Sequence, residues 1–149
     1  MDPGALKQMM ESFIPFNAFL GVRAVRVDKD LLCLEVPFRP ELIGDPIRPA
    51  LHGGVLSALA DACGGGAVWL GIEDTRARVS TIDLRIDYLR PAKLETIVAE
   101  GRVVRLGNRV GVVDVRLYNA PSPEVTVATG KGVYNITVSK SAEPRRAPP

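Results

Sequence analysis

Residues 51–70 constrain the fold more than any other part of the chain, because they are apolar nearly all round a helix. A helix without a polar face has no side to give to water, so other elements must cover it. The stretch opens Leu51-His52-Gly53-Gly54-Val55-Leu56-Ser57-Ala58-Leu59-Ala60-Asp61-Ala62-Cys63, and no other acidic residue lies between Asp45 and Glu73. A carboxylate among apolar neighbours is costly to bury unless something uses or compensates its charge. Proteins build bases that work near neutral pH from such groups. Gly53-Gly54 reads as a helix start that admits a ligand to its backbone N–H groups. A base and an oxyanion-binding helix start in one segment point to acyl chemistry. Gly64-Gly65-Gly66 is awkward inside this helix, since each Gly costs about 1 kcal/mol relative to Ala. Either the helix ends or frays at Gly64, or strands or a partner helix pack too closely there for side chains.

Leu6, Met9, Met10, Phe13 and Ile14 have helical spacing, which predicts a short amphipathic helix within residues 1–16, stopped near Pro15. Segments 22–28 and 31–37 alternate as strands, with Asp28-Lys29-Asp30 as the turn between them. Pro40, Gly44, Pro46 and Pro49 make 38–49 a loop. Strands are expected at 80–89, 96–106, 109–118 and 125–137, with turns at Gly107-Asn108 and 119–123. Short turns make the later strands an antiparallel sheet. The expected class is therefore α+β: about six antiparallel strands wrapped round one long central helix at 51–70, with a partner subunit on the helix's remaining apolar face. The tail, 139–149, has almost nothing to bury and is expected to be disordered.

A length of 149 residues fits one domain, expected at 1–138. A net charge of +2 with dispersed Arg and Lys argues against nucleic acid as a partner. Cys33 and Cys63 read as reduced core residues of a cytoplasmic protein. One His and no CxxC pair argue against a metal site. The N-terminus has no basic segment leading into an apolar run, so no signal peptide is read there. His52, Asp61 and the glycines argue against a membrane span in the central stretch.

His52-Gly53-Gly54-Val55, Asp61 nine positions after His52, and then Tyr88-Leu89-Arg90-Pro91-Ala92 together resemble the hotdog-fold acyl-CoA thioesterases, in particular the phenylacetate-pathway (PaaI-like) branch, over residues 16–136. The resemblance implies hydrolysis of acyl-CoA, with coenzyme A as part of the substrate and no cofactor. It implies that Asp61 is the general base or nucleophile, and that Gly53 and Gly54 present the N–H groups that hold the thioester oxygen. His52 would orient that end of the site, and Thr81 would orient the water or the carboxylate. Coenzyme A contacts would come from Tyr88, Arg90, Pro91 and Lys93, from the turn with Arg105, Gly107, Asn108 and Arg109, and from Lys131. The acyl group would lie against the helix with Trp69 or Phe residues. Relatives often carry an Asn about six residues before the His, where this chain reads Gly44-Asp45-Pro46-Ile47.

Gly53 and Asp61 are eight residues apart, roughly 12 Å along one helix, too far to meet around one carbonyl. Two such helices antiparallel across a two-fold axis would bring Gly53 of one subunit to Asp61 of the other, so a homodimer, or a dimer of dimers, is expected. Two other functions fit the same residues: a non-catalytic acyl-CoA binding module, and a hotdog dehydratase or hydratase using His52 with Asp61.

Overall fold

Two helices, rather than the single one expected, open the chain. The computed structural model describes residues 2–74 and 76–138. The first helix, α1 (Pro3–Gln8), is capped by Asp2, whose Oδ2 accepts from Ala5 N at 2.9 Å. It widens into a π-helical turn at Met9–Phe13, and the chain leaves the helix at Ile14. Pro15 stops that helix as expected, but its fixed φ also suits a first helical position, and α2 (Pro15–Leu20) starts there. Gly21, at φ 74°, ends α2 in the left-handed conformation.

Strands β1 (Arg23–Asp28) and β2 (Leu31–Val36) form the expected hairpin. The 38–49 loop carries more order than its prolines suggest. A 3-10 turn at Pro40–Leu42 leads into a two-stranded ribbon, β3 (Ile43–Asp45) with β4 (Ala50–Leu51). The central helix, α3, runs Gly53–Leu70 and not from residue 51, because Leu51 belongs to the ribbon and His52 is the N-cap. Then come β5 (Ala77–Tyr88), β6 (Ile97–Leu106), β7 (Val110–Asn119) and β8 (Ala128–Val138).

The main sheet is antiparallel with order β1-β2-β6-β7-β8-β5. This is the hotdog arrangement, one long helix wrapped by six strands. Consecutive strands β5 and β6 do not pair; β5 runs beside β8 and forms the far edge. By length and composition α3 would also pass for a membrane span, yet half of that window is buried against the rest of the fold. Leu56, Leu59, Ala60, Cys63 and Val68 of α3 pack on Leu32, Leu34, Ile97, Val113, Leu117 and Tyr134 of the sheet.

The three glycines do not end the helix. A Cβ on Gly64 would overlap the Tyr134 hydroxyl, and one on Gly66 would come within 2.6 Å of Leu32 Cδ2 and 2.9 Å of Met10 Cε. Close packing is therefore the reason for Gly64 and Gly66, where strand and N-terminal side chains occupy the space a side chain would take, whereas Gly65 meets only ordinary contact, 3.5 Å from Tyr134. Cys33 and Cys63 are both free and buried. The expectation for 139–149 lies outside the described residues.

Candidate active site

Asp61 stands two turns into α3, half-buried where the helix faces β5 and β8. Thr81 Oγ1 donates to Asp61 Oδ1 at 2.8 Å. Beside Thr81 in the sheet is Tyr134, whose hydroxyl donates to the Asp61 carbonyl oxygen at 3.2 Å. Burial pushes the Tyr134 phenol well above its usual range, and the nearby Asp61 carboxylate adds to the shift, so it stays a donor. A β-bulge between Thr81 and Asp83 interrupts the β5–β8 register at this point. Bulges bend a strand and re-aim its side chains. The carboxylate is thus held by a hydroxyl while its backbone is pinned by a buried phenol.

Asp61 and Thr81 border a pocket of about 280 Å³ whose apolar walls include Met10, Ile14, Phe16, Ala62 and Trp69. Trp69 and Phe16, residues of the kinds expected beside an acyl group, are thus in one pocket with Asp61. Gly65 also borders this pocket, so part of the glycine run leaves room for a ligand.

The helix start is built around His52. Its Nδ1 accepts from Gly54 N at 2.9 Å. A Cβ on Gly54 would sit 2.8 Å from that nitrogen, so the cap requires glycine there. Gly54 is thereby corrected as an oxyanion donor, since its N–H is already committed to the imidazole. Gly53 N–H, in the first helical position, makes no hydrogen bond among the described residues. Tyr88 fixes this end: its hydroxyl donates to Gly53 O at 3.1 Å and lies 2.5 Å from Ser57 Oγ. Leu42 O accepts from His52 N at 2.8 Å, joining the cap to the proline-rich segment. In that segment the Asp45 carboxylate is occupied by its own turn, accepting from Ile47 N and Arg48 N. Those backbone hydrogen bonds, from Arg48 first, hold its carboxyl below the usual range.

The expected coenzyme A contacts fall in three places. Tyr88, Arg90 and Pro91 line a recess of about 350 Å³ with Gly53 at the start of α3. Lys93 follows them, and its backbone is held by the buried Asn119 through bonds of 3.0 and 3.2 Å. Gly107 and Asn108, with Arg105 and Arg109 flanking them, lie beside Gly71 and Ile72 at the opposite end of α3. Lys131 is set apart from both. It alternates with Gly132 and Tyr134 along β8, so it lies on the sheet face away from α3, ion-paired to Asp114 at 2.7 Å. A concavity of about 580 Å³ there is lined by Arg85, Asp87, Glu100, Arg102, Asp114 and Lys131 and does not include Asp61. Its charges pair along the sheet, as in Arg85–Asp87 and Arg102–Glu100, which fits a solvated face.

Sequence reasoning overlooked Asn17, Asn119, Tyr134 and the Ser57–Tyr88 pair. Tyr134, preceded at alternate positions by Gly130 and Gly132 in its strand, carried the one readable signal: a large ring on the same strand face as two missing side chains.

Comparison with known proteins agrees with this fold. The family model of the thioesterase superfamily matches residues 49–126. The medium/long-chain acyl-CoA thioesterase YigI of Escherichia coli K12 is 35% identical over 148 residues, covering 89% of this chain and 94% of that protein. A solved structure from Shewanella oneidensis related to the thioesterase superfamily is 28% identical with a TM-score of 0.78, covering 90% of this chain and 94% of that one. A thioesterase family protein from Silicibacter pomeroyi, 22% identical, shares the fold with a TM-score of 0.81 over 91% of this chain and 98% of its own. With a family match over more than half its length and a relative of this identity, the chain belongs to the thioesterase superfamily.

Proposed function

We propose that this protein hydrolyses acyl-CoA thioesters to the free acid and coenzyme A. The observation that carries the reading is Asp61, a half-buried carboxylate held by Thr81 at the rim of an apolar pocket. Its similarity over nearly the whole chain to YigI, named for medium- and long-chain acyl-CoA, supports the substrate class. The His52-Gly53-Gly54 and Asp61 pattern supports a place near the phenylacetate-pathway branch, so aromatic acyl groups belong in the same assay.

Asp61 acts as general base on water or as the nucleophile. With Asp61 as base, the water oxygen adds to the carbonyl carbon while its proton passes to the carboxylate. The C–S bond then breaks, and the sulfur leaves with the proton that the Asp61 carboxylate took from the water. Negative charge collects on the carbonyl oxygen in between. A prepositioned N–H donor stabilises that charge by about 3 kcal/mol, and Gly53 N–H is the donor available for it.

The site is shared between two copies. Gly53 and Asp61 stand too far apart on α3 to serve one carbonyl. Strand β5 is an open edge of twelve residues, and open edges are templates for pairing. Two copies joined along β5 with antiparallel α3 helices would bring Gly53 of one to Asp61 of the other. The same symmetry would bring Arg105 and Arg109 of one copy toward Arg90 and Lys93 of the other, to meet the coenzyme A phosphates. A dimer, alone or within a dimer of dimers, is the active form. Two free thiols favour a reducing compartment, the cytoplasm.

The test is free-thiol release from a panel of aliphatic and aromatic acyl-CoA substrates. Turnover supports the reading. Binding without turnover would instead favour the acyl-CoA binding module, with the Asp45-Pro46 turn, which offers no side-chain amide, as the reason.

A further inference from the structure

Two hydroxyls from paired positions in the sheet hold the same residue of α3. Thr81 and Tyr134 face each other in the β5–β8 register. Thr81 Oγ1 donates to the Asp61 carboxylate, and the Tyr134 hydroxyl donates to the Asp61 carbonyl oxygen at 3.2 Å. Tyr134 is 1% exposed. A phenol buried this far carries a desolvation cost that a phenylalanine of nearly the same shape would not. The slot round it is cut for the hydroxyl as well as for the ring. The first atom that a Cβ on Gly64 would strike is the Tyr134 hydroxyl oxygen, and a Cβ on Gly132 would come within 2.5 Å of the same oxygen. Two side chains are given up around one oxygen, and that oxygen meets the Asp61 backbone.

The helix needs an anchor at this point. In an α-helix the Asp61 carbonyl accepts from residue 65, the middle of Gly64-Gly65-Gly66. Glycine is the poorest helix former after proline, so the run that clears the phenol also loosens the turn after Asp61. The Tyr134 bond ties that turn to β8. With its carbonyl tied to β8 and its carboxylate to β5, Asp61 takes its side-chain direction from the sheet and not from the helix alone. Burial, and then the Asp61 carboxylate, hold the phenol above its usual range, so it stays protonated and able to donate.

Resting on the reading of Asp61 as base or nucleophile, we propose that Tyr134 is a positioning residue for the hydrolysis. Its hydroxyl fixes the Asp61 backbone, so that the carboxylate held by Thr81 is aimed at the water or the thioester carbon. Without the hydroxyl the ring still fills the core, but the carboxylate loses its aim. A misplacement of about 1 Å in a reacting group can cost about a hundredfold in rate. Substrate affinity depends on the rest of the site and changes little. The effect therefore falls on kcat and not on KM.

The experiment measures acyl-CoA hydrolysis by the wild type, Tyr134→Phe, Asp61→Asn and the double variant, with the affinity of each for an S-alkyl coenzyme A thioether. Tyr134→Phe is expected to lower kcat about tenfold or more. Its KM and thioether affinity should stay within about twofold of the wild type. In the Asp61→Asn chain the same substitution should cost nothing further, because no carboxylate is left to aim. p-Aminophenylalanine at position 134, which keeps a donor there, should return most of the activity. An unchanged kcat in Tyr134→Phe beside an inactive Asp61→Asn would overturn the proposal alone. So would an equal loss in the Asp61→Asn chain, the mark of a merely structural role. If Tyr134→Phe does not fold, the p-aminophenylalanine protein decides: turnover near wild type supports the proposal, and low turnover in a folded protein overturns it. Full activity in Asp61→Asn would sink the Asp61 reading and Tyr134 with it. If the wild type turns over no acyl-CoA, the thioesterase reading fails separately and crystal structures decide. A Thr81–Asp61 bond lost in Tyr134→Phe then supports the positioning role, and a bond kept at 2.8 Å overturns it.

Discussion

Thr81 Oγ1 reaches across from β5 to donate a 2.8 Å hydrogen bond to Asp61 Oδ1 on α3. The bond fixes one carboxylate oxygen; in the proposed reaction the other meets water or substrate. A hydroxyl that orients a base acts on turnover more than on binding. Thr81→Val is expected to lower kcat about tenfold or more with a smaller change in KM, since positioned acid–base groups contribute at least that much. Thr81→Ser should restore most of the loss. Steady-state kinetics on the two variants check this, and an unchanged kcat in Thr81→Val would remove Thr81 from the site.

Tyr134 fills a slot that two glycines make, and the slot should be intolerant of a methyl group. Cβ atoms on Gly64 and Gly132 would both collide with the Tyr134 ring or hydroxyl. Gly64→Ala is expected to destabilise the fold by about 1–3 kcal/mol, the usual cost of overpacking a core. This is opposite in sign to what glycine-to-alanine does in an uncrowded helix. Urea denaturation measures it, and Tyr134→Leu in the same chain should recover part of the loss. A stabilised Gly64→Ala would show that the helix is not packed as described.

The two thiols should be inert in the folded protein. Burial is the main cause that pushes both Cys63 and Cys33 above the usual thiol range. Cys63 is also held by the Leu32 and Ala99 carbonyls at 3.2 and 3.4 Å. Raised pKa means less thiolate at any working pH, and the thiolate is the reactive form. Iodoacetamide at pH 8 should label neither residue in the native state and both in denaturant, read by mass spectrometry. Rapid native labelling of Cys63 would contradict its place against the sheet.

Much of this was legible in the sequence for a physical reason. The 51–70 helix declared itself because an apolar surface on every side has few ways to be covered, and the strands because alternation survives without knowledge of partners. Asp61 stood out as a charge in that surface. Pairings across the fold were not legible. The order that puts β5 beside β8, and the Tyr134 ring against Gly64, join residues distant along the chain. Pro15 read only as a stop, although the same ring geometry that ends one helix begins the next. Asn17 looked like an ordinary polar residue between Phe16 and Ala18 until its burial beside the Asp61 pocket set it apart. Gly54 read as an oxyanion donor because the spacing does not show that His52 Nδ1 already takes its N–H.

The His52 cap ties Gly54 to the shape of the helix start. Gly54→Ala should crowd the imidazole out of its 2.9 Å bond, because its new Cβ would sit 2.8 Å from Nδ1. Loss of an N-cap costs about 1 kcal/mol, and the displaced cap should shift Gly53 as well. The expected outcome is lower stability together with a fall in kcat. Full activity in Gly54→Ala would separate the cap from catalysis.

Subunit mixing tests the shared site most directly. Asp61→Ala and Gly53→Val should each lose at least about a hundredfold in acyl-CoA hydrolysis while remaining folded, as expected for the base and for the oxyanion end. The two inactive proteins are then unfolded, mixed in equal amounts and refolded together. In each mixed dimer both substitutions fall in one site, and the other site keeps an intact Asp61 and an intact Gly53. Random pairing should therefore restore about a quarter of wild-type activity. A mixture as inactive as its parents, with mixed dimers shown to form, would contradict a site built from Asp61 of one subunit and Gly53 of the other.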